Sequence, residues 1–162
     1  MNKKFIALPI VLSCIFLTGC VSPNATPPMT SLQIQAIQTK NFDADKKTTF
    51  NAVVSVLQDL GYIINSASFE TGFITAESAT QNDTGFLDAL GGVRREQRVA
   101  VTASVEEMKP NQNRVRLNFV TRVKRSARNG QQANDDTPIQ NPTIYQNAFE
   151  KIGEAVFIRK AN

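Results

Sequence analysis

Few residues in this chain have the type and spacing for chemistry. The 162 residues include no His and no Trp, and the two cysteines, Cys14 and Cys20, both fall in the first twenty positions. A nucleophilic Ser or Thr needs a base to take its proton. No His can serve, and no Ser-x-x-Lys spacing follows Cys20. Metal ligation would have to rest on carboxylates. Asp135-Asp136 lacks the repeated oxygen-ligand spacing of a calcium loop and reads as part of a solvated loop. Asp43 and Asp45 suit helix caps, and Glu106-Glu107 suits a strand end. A carboxylate pair for glycoside hydrolysis is formally available in any chain, and nothing here selects one. Gly91-Gly92 has no phosphate-loop pattern around it. The reading is therefore of a protein that is not an enzyme, with no cofactor and no metal. One thiol stands apart. Cys20 follows Leu17-Thr18-Gly19, a branched apolar residue and two small ones. Small residues let a peptidase reach the Gly19–Cys20 bond, and the Cys20 thiol is a nucleophile open to modification.

The segment before Cys20 supports that chemistry. Lys3 and Lys4 form a short positive region, and residues 5–16 are an apolar run of about a dozen. That is the layout of a secretory signal peptide, and it is too short to span a bilayer, which takes roughly 20 apolar residues. Leu17-Thr18-Gly19-Cys20 resembles the lipobox of bacterial lipoproteins. Residues 1–19 are thus expected to be a lipoprotein signal peptide, 20–30 a lipidated Cys with a Pro- and Ser-rich flexible spacer, and 31–162 a single domain. Acyl chains contribute about 0.8 kcal/mol per buried methylene, so two or three would tether the domain to a membrane. Val21 and Ser22 follow the cysteine, with no Asp at the position after it. By the resemblance, that implies the outer membrane, with the domain facing the periplasm.

The tether also reinterprets the charge. The chain has 18 Lys+Arg against 14 Asp+Glu. Without Lys3 and Lys4 the balance is 16 against 14, which with the location argues against nucleic acid as a partner. With Cys14 removed and Cys20 acylated, no thiol remains for a disulfide. What remains is long enough for one core.

The elements follow from periodicity. Residues 31–42 alternate partially (Leu32, Ile34, Ala36) and predict a first strand. Phe50, Val53, Val54, Leu57 and Leu60 fall on one face of a helix over about 45–60, with Asp43 and Asp45 as cap candidates and Gly61 as a stop. Residues 62–69 and 73–78 flank Glu70-Thr71-Gly72 as a hairpin, with Gly72 taking a positive φ. Residues 79–92 read as a loop with an apolar centre at Phe86, Leu87 and Leu90, either a partner-binding tip or a lid over the core edge. Two long strands follow, with Val99, Val101, Ala103 and Val105 in one and Val115, Leu117 and Phe119 in the other, joined by a turn at 109–113. Residues 129–141 are polar and predict a loop. Tyr145, Ala148, Phe149, Ile152 and Val156 mark a closing helix that starts at Pro142. The expected fold is α+β, a two-layer antiparallel sheet with two helices on one face, in the order β-α-β-β-β-β-α.

The helix exit Asp59-Leu60-Gly61-Tyr62, the turn Glu70-Thr71-Gly72-Phe73-Ile74 and the closing Tyr145-x₃-Phe149-x₂-Ile152-x₃-Val156-Phe157 resemble a group of Gram-negative outer-membrane lipoproteins with a single BamC-like, helix-grip domain. The likeness covers roughly residues 39–160. It implies a helix-grip fold and supplies no catalytic residues.

Basic residues are the remaining candidates for contact. If Val115, Leu117 and Phe119 face the core, Arg114, Arg116, Arg122 and Lys124 share the solvent face. Arg94, Arg95 and Arg98 on the preceding strand could join them in one positive patch. Such a patch would suit an anionic surface or an acidic partner; an exposed sheet face must also carry something polar in any case. A helix-grip sheet can likewise enclose an apolar ligand, lined here by Val53, Phe119 and Phe149, or those residues are simply core. The functional expectation is a membrane-anchored accessory module that contacts envelope proteins, or alternatively a carrier of a hydrophobic or anionic envelope ligand such as a lipid.

Overall fold

The structure, a computed structural model, describes residues 29–82 and 92–161. The signal peptide, Cys20, most of the spacer and the apolar loop centre Phe86, Leu87 and Leu90 lie outside the described residues. Among the described residues the fold is α+β: a seven-stranded antiparallel sheet with three helices.

Residues expected to open a strand open a helix instead, α1 (Ser31–Gln38). Thr30 caps it through a reciprocal box: its hydroxyl accepts from Gln33 N at 3.3 Å, and the Gln33 side chain accepts from Thr30 N at 2.8 Å. Two otherwise orphaned donors are satisfied this way. Ile34, Ile37 and Gln38 then turn inward at helical spacing, which outweighs the two-residue alternation read from Leu32, Ile34 and Ala36. Only Thr39–Phe42 form strand β1.

Helix α2 (Lys46–Asp59) starts where Asp45 accepts from Thr48 N at 2.9 Å. The hydrogen bonds from Thr48 hold the Asp45 carboxyl below its ordinary value of 3.8. Gly61, at φ +84°, follows the helix end. Strands β2 (Tyr62–Ser68) and β3 (Phe73–Ser78) form the expected hairpin, with a bulge between Ile64 and Ser66. Strand β4 (Gln81–Asn82) is two residues long. Strands β5 (Val93–Lys109) and β6 (Gln112–Ala127) make the central hairpin. Strand β7 (Gln132–Pro138) lies inside the stretch expected to be a loop. Helix α3 (Pro142–Ala161) closes the chain.

The main sheet path is β1-β6-β5-β3-β2, all antiparallel. Strands β5 and β6 outrun their neighbours. On the outer edge of β6, β1 pairs with residues 113–116 and β7 with residues 120–126. Along β5, β3 pairs with residues 100–104 and β4 with residues 96–97. The sheet therefore has a body and an arm. In the body, Ile74, Ala76, Val101, Ala103, Val105, Val115, Leu117 and Phe119 meet Phe50, Val53, Val56 and Leu57 of α2 and Tyr145, Ala148, Phe149, Ile152 and Val156 of α3. In the arm, residues 92–99, 120–127 and all of β7 include no buried side chain. That explains why β7 escapes sequence reading. A strand bare on both faces needs no apolar alternation, and backbone pairing suffices.

Body and arm join at a buried polar node. Between β1 and β7 the edge of β6 has no strand partner, and the Tyr145 hydroxyl fills the gap. It accepts from Phe119 N at 3.4 Å and donates to Ile139 O at 2.8 Å. Gln38 adds a bond to the Asn118 side chain at 3.3 Å. Buried polar groups at a sheet break need such partners.

Candidate functional site: the uncovered sheet face

Helices α2 and α3 cover one face of the body, so functional side chains must be sought on the opposite face and on the arm. Register decides which residues share that face. Arg98 lies directly opposite Arg122, Glu96 opposite Lys124, and Glu106 opposite Arg114. Two arginines facing one another across a ladder repel. Strand β3 resolves this by placing Glu77 beside both, at 3.6 Å from Arg98 and 2.8 Å from Arg122. On the other side, Asp136 of β7 sits opposite Arg122 and pairs with it at 3.4 Å. Four strands thus carry one row: Glu77, Arg98, Arg122, Asp136. Arg98, Arg122 and Asp136 of this row border an open groove of about 540 Å³ that also takes in Thr80, Glu96, Lys124, Gln132 and Asn134.

The single positive patch expected from sequence is divided. Arg94, Arg98, Arg122 and Lys124 share the arm's open face, where Glu77, Glu96 and Asp136 offset them. Arg95 points to the opposite face, as does Arg125, which pairs with Asp135 at 3.1 Å. Arg114 and Arg116 lie at the body end, eight and six residues along β6 from Arg122, or roughly 26 and 20 Å at about 3.3 Å per residue. The Asp135-Asp136 pair, expected in a solvated loop, is a strand pair that reaches two arginines. Sequence reasoning missed Glu77 and Asp136 as the arginines' partners. The only signal was opposite charge in neighbouring β-rich runs, which has no meaning until register is known.

Arg114 and Arg116 differ from the arm arginines. Neither forms an ion pair among the described residues. Arg116 donates to the Gln38 side chain at 3.3 Å. With Leu32, Gln35, Ala36 and Thr39 from the α1 side and Ser104 and Glu106 from β5, they line a second open groove of about 470 Å³.

Among the described residues this face carries no His or Cys side chain. Tyr62 has its phenol pushed up by burial, against Phe119 on the core side. Among the described residues no three His, Cys, Asp or Glu side chains could hold a metal ion, and no helix is long and apolar enough to cross a membrane. Val53, Phe119 and Phe149 are buried in the core, with the Phe119 ring 5.2 Å from Tyr145 and the Phe149 ring 6.3 Å from Phe42.

No family model and no curated protein matches the chain. Among solved structures, it is similar to a crystal structure of a DUF4468 family protein from Bacteroides ovatus. The TM-score is 0.38 at 10% identity, over 73% of this chain and 84% of that one. A likeness this slight supports neither a shared fold nor a shared role.

Proposed function

We propose that this chain is a lipid-anchored outer-membrane lipoprotein whose periplasmic domain, of the BamC-like helix-grip type, is a non-enzymatic interaction module of an envelope complex. The observation that carries the reading is the arm. Past the helical layer, β4, β7, residues 93–99 of β5 and residues 120–127 of β6 bury no side chain. An extension of this kind contributes little to the core and much to accessible surface. Its face presents paired charges and amides, groups suited to the polar contacts of a non-obligate protein interface. The sequence before Cys20 supports the address, and the short stretch between Cys20 and the domain would keep the domain near the bilayer. The alternative reading, a lipid carrier, has less behind it, since Val53, Phe119 and Phe149, which would line its cavity, are buried members of the core cluster.

The test has two parts. Cys20→Ser should release the folded domain from membranes and abolish acyl incorporation at this position; a variant still found with membranes would sink the anchor reading. A photoreactive residue at Asn134, on the arm, should crosslink in intact cells to one recurring envelope protein. The same probe at Glu150, on exposed α3, should not. Equal crosslinking at both positions, or at neither, would refute the arm as the docking element.

A further inference from the structure

We infer that the patch formed by Leu32, Arg114 and Arg116 rests on the anionic headgroups of the bilayer that holds Cys20. The inference rests on the anchor reading above and adds an orientation to it.

Three observations converge. Position comes first. Leu32 stands two residues after Thr30, the α1 cap, and lines one groove with Arg114 and Arg116. The chain therefore enters the domain beside these arginines. Between Cys20 and Thr30 it can extend at most about 35 Å, given up to about 3.6 Å per residue. The patch is the part of the sheet that the tether holds closest to the membrane. Charge comes second. On the arm, Arg98, Arg122 and Arg125 are each bridged to a carboxylate. Among the described residues Arg114 and Arg116 lack such a bridge, although Glu106 lies directly across from Arg114. Their guanidinium groups remain available to phosphate oxygens, which they can meet in bidentate fashion. Apolar exposure comes third. Leu32 is 75% exposed beside these cations. An apolar side chain flanked by arginines on a short helix suits the boundary between headgroups and acyl chains.

The energetics favour a tethered dock and not a free one. Each basic residue near an anionic surface shifts the docked-to-free ratio by roughly fivefold. Two arginines alone would bind a free domain weakly. The tether makes the encounter intramolecular, so a modest surface suffices. With this patch against the bilayer, the arm extends along the sheet away from the contact, where a partner can reach it.

The test separates this dock from the lipid anchor. Residues 20–162, which keep every described residue, carry a hexahistidine tag ahead of position 20 and a Cys20→Ser change. Nickel-chelating lipid then supplies the tether whether or not Cys20 is acylated in cells. A fluorophore is placed at Gln35→Cys beside the patch, or at Asn134→Cys on the arm, and energy transfer to acceptor-labelled lipid is read. Vesicles are phosphatidylcholine alone or mixed with phosphatidylglycerol. Higher transfer at position 35 than at 134 is expected, rising with phosphatidylglycerol. Joint Arg114→Ala and Arg116→Ala replacement should lower the docked-to-free ratio more than tenfold, as should salt that screens the surface. Equal transfer at both positions, or no response to the arginine replacements, would overturn the inference. The latter result would leave the patch to an acidic protein partner instead. Failure of acylation at Cys20 in cells would strike the anchor reading without altering this measurement.

Discussion

At Gly72 the backbone passes so close to β5 that a side chain has nowhere to go. Its φ is +73°, and a Cβ built there would run into the carbonyl oxygen of Val105. The Gly72 carbonyl in turn accepts from Val105 N at 2.9 Å. Gly130 shares the left-handed conformation at φ +83°, yet nothing lies within 4 Å of its Cβ position. The comparison separates two costs. Gly130→Ala should lose about 1 kcal/mol from backbone strain alone. Gly72→Ala should lose about 3 kcal/mol, because the β2–β3 turn must also move off β5. Urea midpoints of the two variants measure the difference; equal losses would mean the close approach does not matter. The positive φ at Gly72 is legible in Glu70-Thr71-Gly72 between two β-rich runs. The approach to Val105 is not, because it depends on pairing across about thirty intervening residues. The arginines behave alike. The face each one takes follows from alternation, whereas the carboxylates that bridge Arg98, Arg122 and Arg125, and the absence of one at Arg114 and Arg116 among the described residues, follow only from register.

Elements with one apolar face were readable and elements without one were not. Helices α2 and α3 and the body of the β5–β6 hairpin each bury a periodic stripe, so periodicity locates them. Helix α1 is eight residues long with one short inward stripe, and its capping box decides between helix and strand. Strand β7 has no inward face at all. The arm it completes is held by ladder hydrogen bonds and by exposed ion pairs, each worth about 0.2–1 kcal/mol. Segments with few buried contacts open locally, at a cost below that of global unfolding. Native-state hydrogen exchange should therefore show amides of Lys124 and Ser126 exchanging through local opening, and those of Leu117 and Ala103 only through global unfolding. Uniform protection along β5 and β6 would show that arm and body open together. An arm of low local stability is also one that a binding partner can order.

The molecule as a whole depends on one core, shared by the sheet body, α2 and α3. Phe149 belongs to it, buried and tilted against Phe42 of β1. Phe149→Ala should cost about 3–5 kcal/mol. The loss should appear in a single unfolding transition by both near- and far-ultraviolet circular dichroism; a loss under about 1 kcal/mol would mean that α3 is not packed on the sheet as described. The amino-acid sequence alone determined the features that depend on local order: the layout around Cys20, the helical and alternating stripes, the caps at Asp45 and Gly61, and the α+β class they imply. Tertiary structure alone decided how far β5 and β6 outrun their neighbours, which carboxylate meets which arginine, and that α1 brings Leu32 beside Arg114 and Arg116. The division has a physical cause. Burial of a periodic face is written into residue spacing, whereas strand register and edge pairing are set by contacts between segments far apart in the chain.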